Sequence, residues 1–195
     1  MKRNRRNLLV YLIGGLVVLG LVGITYAAFS DKGKVLGSSF SVGNADIKLM
    51  LDLTLGAEPT NLVDEIPGPV FTNIGQNWQR DYLIKIYNNG TYKMSLTSHS
   101  NYETINDPDD LRQYIFAEIY PWDDTNNDGQ VTEDEIGTSI GKKTIIKWKT
   151  EGFSLGEFNP GETLGFTIRF STGTISDTKQ GKQGAFDFEF DSIEL

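Results

Sequence analysis

Alternation of apolar and polar residues with a period of two is the feature that most limits what this chain can become. Asp46 to Leu55 reads DIKLMLDLTL, with Ile47, Leu49, Leu51, Leu53 and Leu55 on one face and Asp46, Lys48, Asp52 and Thr54 on the other. That is the pattern of a half-buried strand. The same alternation recurs in Tyr82 to Tyr87 (YLIKIY), Lys93 to Thr97 (KMSLT), Thr144 to Lys149 (TIIKWK), Leu164 to Phe170 (LGFTIRF) and Ala185 to Phe190 (AFDFEF). Turn chemistry separates the runs at Asn88-Asn89-Gly90, Asn159-Pro160-Gly161 and Gly181 to Gly184. Such a series predicts an all-β fold, an antiparallel β-sandwich. Pro59, Pro67 and Pro69 mark Glu58 to Val70 as a connection, because proline cannot donate to a central ladder. One short helix is expected at Leu111 to Tyr114. There Asp107-Pro108-Asp109-Asp110 offers a cap, a proline for the first turn and acids near the positive end of the dipole. The chain turns extended again over Ile115 to Tyr120.

The amino-terminal segment follows a different grammar. Lys2, Arg3, Arg5 and Arg6 precede a stretch from Leu8 to Ser30 without a single charge. Its length suits either a secretory signal or a membrane-spanning anchor. Thr25-Tyr26-Ala27 approximates the small-x-small pattern read by a signal peptidase, and Gly20 and Gly23 weaken the helix just before it. These features favour a cut between Ala27 and Ala28, so that residues 1–27 form an apolar signal helix and the protein meets the membrane only before processing. In either case the positive-inside rule places the body outside the cell.

With 18 basic and 26 acidic residues the net charge is −8, and the four leading cations make the body beyond Ala27 more acidic still. An acidic body repels phosphate backbones, so no nucleic-acid partner is expected, and cation binding is favoured. Asp124 to Glu135 (DTNNDGQVTEDE) fits the twelve-residue calcium-loop template. Asp124, Asn126 and Asp128 stand at positions one, three and five. Gly129 supplies the sharp turn, Gln130 a carbonyl, Thr132 a water-mediated contact and Glu135 the closing carboxylate. Strand-like Ala117 to Tyr120 before the loop, with room for only a turn or two of helix in Glu133 to Ile140, excludes a paired sensor of the EF-hand type. The competing reading of the same residues is a solvated acidic turn.

Catalytic chemistry finds little to work with. The absence of cysteine removes disulfides, thiolate zinc sites and cysteine nucleophiles. His99 is the only histidine, so no two-histidine zinc site can form in one chain, and no G-x-S-x-G elbow accompanies it. His99 is expected on a surface loop, and the chain is not expected to be an enzyme. Asn89-Gly90-Thr91 matches a glycosylation acceptor but also makes a tight turn, the favoured reading.

Gly23 to Asp31 (GITYAAFSD), Phe40 to Leu49 (FSVGNADIKL), Tyr82 to Thr91 (YLIKIYNNGT) and Asp107 to Ile119 (DPDDLRQYIFAEI) resemble, in this order, segments of the TasA/camelysin family. Thr163 to Phe170 and Phe186 to Phe190 continue the series. The family consists of secreted matrix and surface-fibre proteins. The resemblance implies a jelly-roll-like sandwich, a dedicated signal peptidase and polymerisation by donor-strand exchange. In that mode the freed amino-terminal segment of one copy adds a strand to the next, giving a head-to-tail homopolymer. The implied donor is residues 28–42, with Phe29, Val35, Leu36, Phe40 and Val42 as anchors. Residues 43–195 would form the sandwich domain, with the calcium loop inserted around 121–140, a departure from the family pattern. Some members have been described as metalloproteases; no residue here supports that activity. The expected role is therefore a structural subunit of an extracellular fibre or biofilm matrix at the cell surface. The alternative is a secreted or anchored calcium-dependent module that binds a carbohydrate or a surface partner.

Overall fold

The computed structural model describes residues 30–35 as backbone, together with residues 45–179 and 181–195. The proposed signal peptide (1–27), the cut between Ala27 and Ala28, and the anchors Phe29, Leu36, Phe40 and Val42 lie outside the described residues. The strands are β1 (Ser30–Val35), β2 (Ile47–Met50), β3 (Leu62–Val63), β4 (Glu65–Ile66), β5 (Gln79–Asn88), β6 (Met94–Asn101), β7 (Ile115–Trp122), β8 (Gly141–Thr144), β9 (Phe153–Phe158), β10 (Thr163–Thr172) and β11 (Asp187–Glu194). They form two sheets. The first runs β4-β1-β11-β6-β9 and the second β3-β2-β5-β10-β7-β8. Every pairing is antiparallel except the short parallel contact of β1 with β4. The all-β sandwich expected from the alternation is present.

Residues of both sheets meet in one core, where Ile84 and Ile86 of β5, Phe166, Ile168 and Phe170 of β10, and Ala117 and Ile119 of β7 face Met94 and Leu96 of β6 and Phe188 and Phe190 of β11. Register on the outer face of the second sheet is reinforced by charge. Asp81, Arg169, Glu118 and Lys142 stand opposite one another across four strands. Within that row Arg169 makes two hydrogen bonds to Asp81, at 2.8 and 2.9 Å.

Three expectations are corrected. TIIKWK is a helix, α1 (Ile145–Glu151), preceded by β8. Thr144 caps it by accepting the Lys147 N–H, and Ile145 and Trp148, three residues apart, share its buried face. Trp148 stacks on Phe188 with ring centres 4.8 Å apart and donates to Ser98 Oγ at 2.9 Å. DIKLMLDLTL stays extended only to Met50. Buried Asn61 then draws the chain into a turn, accepting from Asp52 N–H and donating to the carbonyls of Asp52 and Gly56, which leaves Leu51 and Leu55 exposed. The helix expected after Asp107 is a single 3-10 turn, Leu111–Gln113, held by Asp107 accepting the N–H groups of Leu111 and Arg112. Of the connection Glu58 to Val70, only the two-residue strands β3 and β4 enter a sheet, as the prolines suggested.

Trp148→Ala should cost about 3–5 kcal/mol, because a buried ring and its hydrogen bond leave a cavity that the flanking phenylalanines cannot close. A urea-unfolding midpoint corresponding to a loss under about 1 kcal/mol would contradict this packing.

Candidate functional site

Two features of the sequence reading can be placed: the acidic loop and the amino-terminal strand. The loop rests on the outer face of the second sheet. Lys85 of β5, Gly165 of β10 and Trp122 of β7 stand opposite one another there. Gly165 is needed because a Cβ at that position would collide with the Trp122 carbonyl oxygen. Over this gap Lys85 Nζ lies 5.2 Å from the Trp122 ring centre, donates to the Leu53 carbonyl at 2.8 Å and meets Asp124 Oδ2 at 2.9 Å. Lys85 is 6% exposed and Asp124 8%. The pair therefore bolts the loop and the Leu51 to Gly56 turn onto the sheet.

Both ends of the loop are tied. Asp123 N–H donates to the Glu135 carbonyl, Gly137 N–H to the Pro121 carbonyl, and Trp122 bridges Ile136. Between them the side chains fold the backbone inward. Asp124 accepts the N–H groups of Asp128 (3.1 Å) and Gly129 (3.0 Å), Asn126 accepts Asp128 N–H (3.0 Å), and Asp128 accepts Gln130 N–H (2.7 Å). Asn127 and Gly129 take left-handed φ values of 53° and 67°. A Cβ on Gly129 would also stand 3.0 Å from Thr54 Cγ2, so glycine is required there twice over. Thr132 begins a 3-10 turn, Glu133–Glu135, and its N–H donates to Glu135 Oε2 at 3.0 Å.

Asp124, Asn126 and Asp128 are thus gathered on one arc, while Glu135 caps its own turn. Among the described residues, no three His, Cys, Asp or Glu side chains converge into a metal cage. The loop offers oxygen donors, which suit a hard cation. Asp124 receives three donors on the roughly four lone-pair sites of a carboxylate. Burial alone would raise its pKa; Lys85 and the two N–H groups outweigh that effect and hold it below the ordinary 3.8.

At the other sheet, β1 lies between β11 and β4. Ser30 stands opposite Ile193, and Val35 opposite Phe188 on one side and Ile66 on the other. Phe188 also lines an apolar cleft of about 250 Å3 with Phe71, Trp78, Ile115, Phe170 and Phe186. His99, expected on a loop, is instead within β6, with Nδ1 3.0 Å from Asp191 Oδ2. Asn89 follows β5 in the expected turn, where Gly90 N–H donates to Asn88 Oδ1 and the Asn89 amide donates to Asp46.

No family model, curated protein or solved structure matches the chain. The residue that sequence reasoning missed is Lys85. In YLIKIY it reads as an ordinary outward-facing strand lysine, and nothing local reveals that a loop 39 residues later covers it.

Removing one partner leaves the other charge buried. In chelator, Lys85→Met should cost about 3–5 kcal/mol, and Lys85→Met/Asp124→Asn should recover part of it; a loss below about 1 kcal/mol would show the pair to be solvated. The lowered pKa fixes the pH dependence. The stabilisation is complete above the ordinary carboxyl value of 3.8 and disappears as pH falls through the lower folded value. The stability gap between wild type and Asp124→Asn, followed by urea unfolding from pH 6 to pH 2, should therefore close only in the acidic limb. A gap unchanged down to pH 2 would contradict the assignment.

Proposed function

We propose that the protein is a structural subunit of an extracellular fibre or biofilm matrix, polymerising through its amino-terminal strand and stiffened by a calcium ion in the loop from Asp124 to Glu135. The observation that carries this reading is the position of β1. Residues 36–46 separate β1 from β2 in sequence, and β1 takes a place in the first sheet between β4 and β11. The same place can be filled by the strand of a second copy with identical backbone hydrogen bonds. Head-to-tail filling of this kind does not close on itself and yields filaments. Cleavage after Ala27 would leave only Ala28 and Phe29 ahead of β1 and free it to reach a neighbour. A jelly-roll-like topology, an apolar signal helix over residues 1–27 and an extracellular location complete the proposal.

Calcium fits the oxygen donors of the loop. Asp124, Asn126 and Asp128 would hold it through side chains, Gln130 through its carbonyl, Thr132 through water and Glu135 through its carboxylate. The ion would supply positive charge to an acidic insertion and bind the folded state alone. With calcium at 100 times its dissociation constant, the gain is about 2.7 kcal/mol. Calcium should raise the melting temperature, and Asp128→Ala, which spares the Lys85 pair, should abolish the rise. Superimposable melting curves with calcium and with chelator would exclude the site.

For the fibre, protein beginning at Ala28 should form filaments under the electron microscope, and protein lacking residues 28–36 should not. Monomers from both preparations would overturn the fibre reading and favour a calcium-dependent binding module.

A further inference from the structure

The outer face of the first sheet carries two rows of polar residues whose order is set by register. Thr97 of β6, Asp191 of β11 and Lys32 of β1 form one row; His99, Glu189 and Lys34 form the other. From the β6 side, His99 Nδ1 lies 3.0 Å from Asp191 Oδ2 and Asn101 Nδ2 donates to Glu189 Oε1 at 2.9 Å, so both carboxylates are positioned before β1 is considered. Glu189 is 7% exposed, a low value for a carboxylate. The other face of β1 sets Asp31, Gly33 and Val35 against Ser192, Phe190 and Phe188.

We infer that Lys32 and Lys34 select the strand's partner and register by matching the carboxylates of Asp191 and Glu189 on the β11 of a second copy of this chain. The inference rests on the fibre reading and says what the interface recognises. A slip of one residue would move both lysine positions to the core-facing set, opposite Phe190 and either Phe188 or Ser192 according to direction. A slip of two in one direction sets Leu36 opposite Glu189. The opposite slip still sets Lys32 and Lys34 opposite carboxylates, Glu189 and Asp187, but it places Asp31 opposite Phe190 and moves Val35 off Phe188. Only the observed register sets Lys32 and Lys34 opposite Asp191 and Glu189 while Val35 stays opposite Phe188, so charge and the core-facing positions select it together. Opposite charges directly across an antiparallel pair attract and like charges repel, so a charge change is read at this interface as a change in assembly.

Charge reversal on each side separately tests this. In protein beginning at Ala28, K32E/K34E sets glutamates against Glu189 and Asp191, and E189K/D191K sets lysines against lysines. Each variant alone should need about tenfold or more higher concentration to form filaments than wild type. An equimolar mixture should assemble as wild type does, because every donor then meets an opposite acceptor in an alternating polymer. Filaments from either variant alone at the wild-type concentration, or none from the mixture of two folded variants, would overturn the inference. K32E/K34E is confined to the strand and reads out even if E189K/D191K does not fold.

If wild type itself forms no filaments, the fibre reading fails and the pairing is judged within one chain. Hydrogen exchange at amides 30–35 should be slow in wild type, fast in K32E/K34E and slow again in K32E/K34E/E189K/D191K. Equal exchange in wild type and K32E/K34E, with a folded body, would overturn the charge match independently of assembly.

Discussion

A strand in the interior of a sheet needs partners for the backbone N–H and C=O groups on both its sides, and β11 finds one side satisfied only because Ser30–Val35 lies along it. Its other side is held by β6. Around β11 the rest of the first sheet takes its place: Phe188 and Phe190 enter the core, Trp148 stacks on Phe188, and α1 is docked by the hydrogen bonds of Trp148 to Ser98 and of Ser100 to the Ile145 carbonyl. Removing β1 would bare the ladder of β11, an edge to which another extended chain can add by the same hydrogen bonds. Under the proposed strand exchange, the ladder that β1 completes within one chain would be the one that joins copies.

The second sheet has a different governing constraint, a buried charge pair. Lys85 and Asp124 are taken out of water together, and the desolvation cost of such a pair offsets much of its attraction. The pair fixes the acidic loop, the Leu53 turn and the Trp122 ring relative to one another. The loop is thus built on a hairpin base with a resident cation beneath its first carboxylate. Under the proposed calcium site, the ion would rigidify an insertion already anchored by Lys85.

Much of the sandwich was legible in the alternation of its strands. YLIKIY and LGFTIRF lie inside β5 and β10, which run longer than the pattern because they pair with each other from Gln79–Ser171 to Tyr87–Thr163. TIIKWK misled because Ile145 and Trp148 satisfy a helical spacing as well as a strand-like run, and the Thr144 cap decides between them. DIKLMLDLTL misled because its end is set by Asn61, a buried side chain beyond the run. Phe153–Phe158 was overlooked because Gly156, at φ 113°, interrupts it beside an irregular register with β6. That Asp124 to Glu135 leaves the sheet as a turn-rich loop was legible in its Asn-Asp-Gly chemistry. Lys85 beneath it was not, since its role depends on strand order and on a loop distant in sequence.

Because the chain contains no cysteine, disulfide trapping across the β1–β11 pair can be made specific for exchange between copies. Ser30→Cys is placed in one preparation and Ile193→Cys in another, both beginning at Ala28, and the two are mixed under filament-forming conditions before oxidation. Assembly by strand exchange should yield a disulfide joining different chains at these opposed positions. No such link between chains, alongside complete internal closure in a single chain carrying both cysteines, would show that the strand stays with its own body and would contradict assembly by strand exchange.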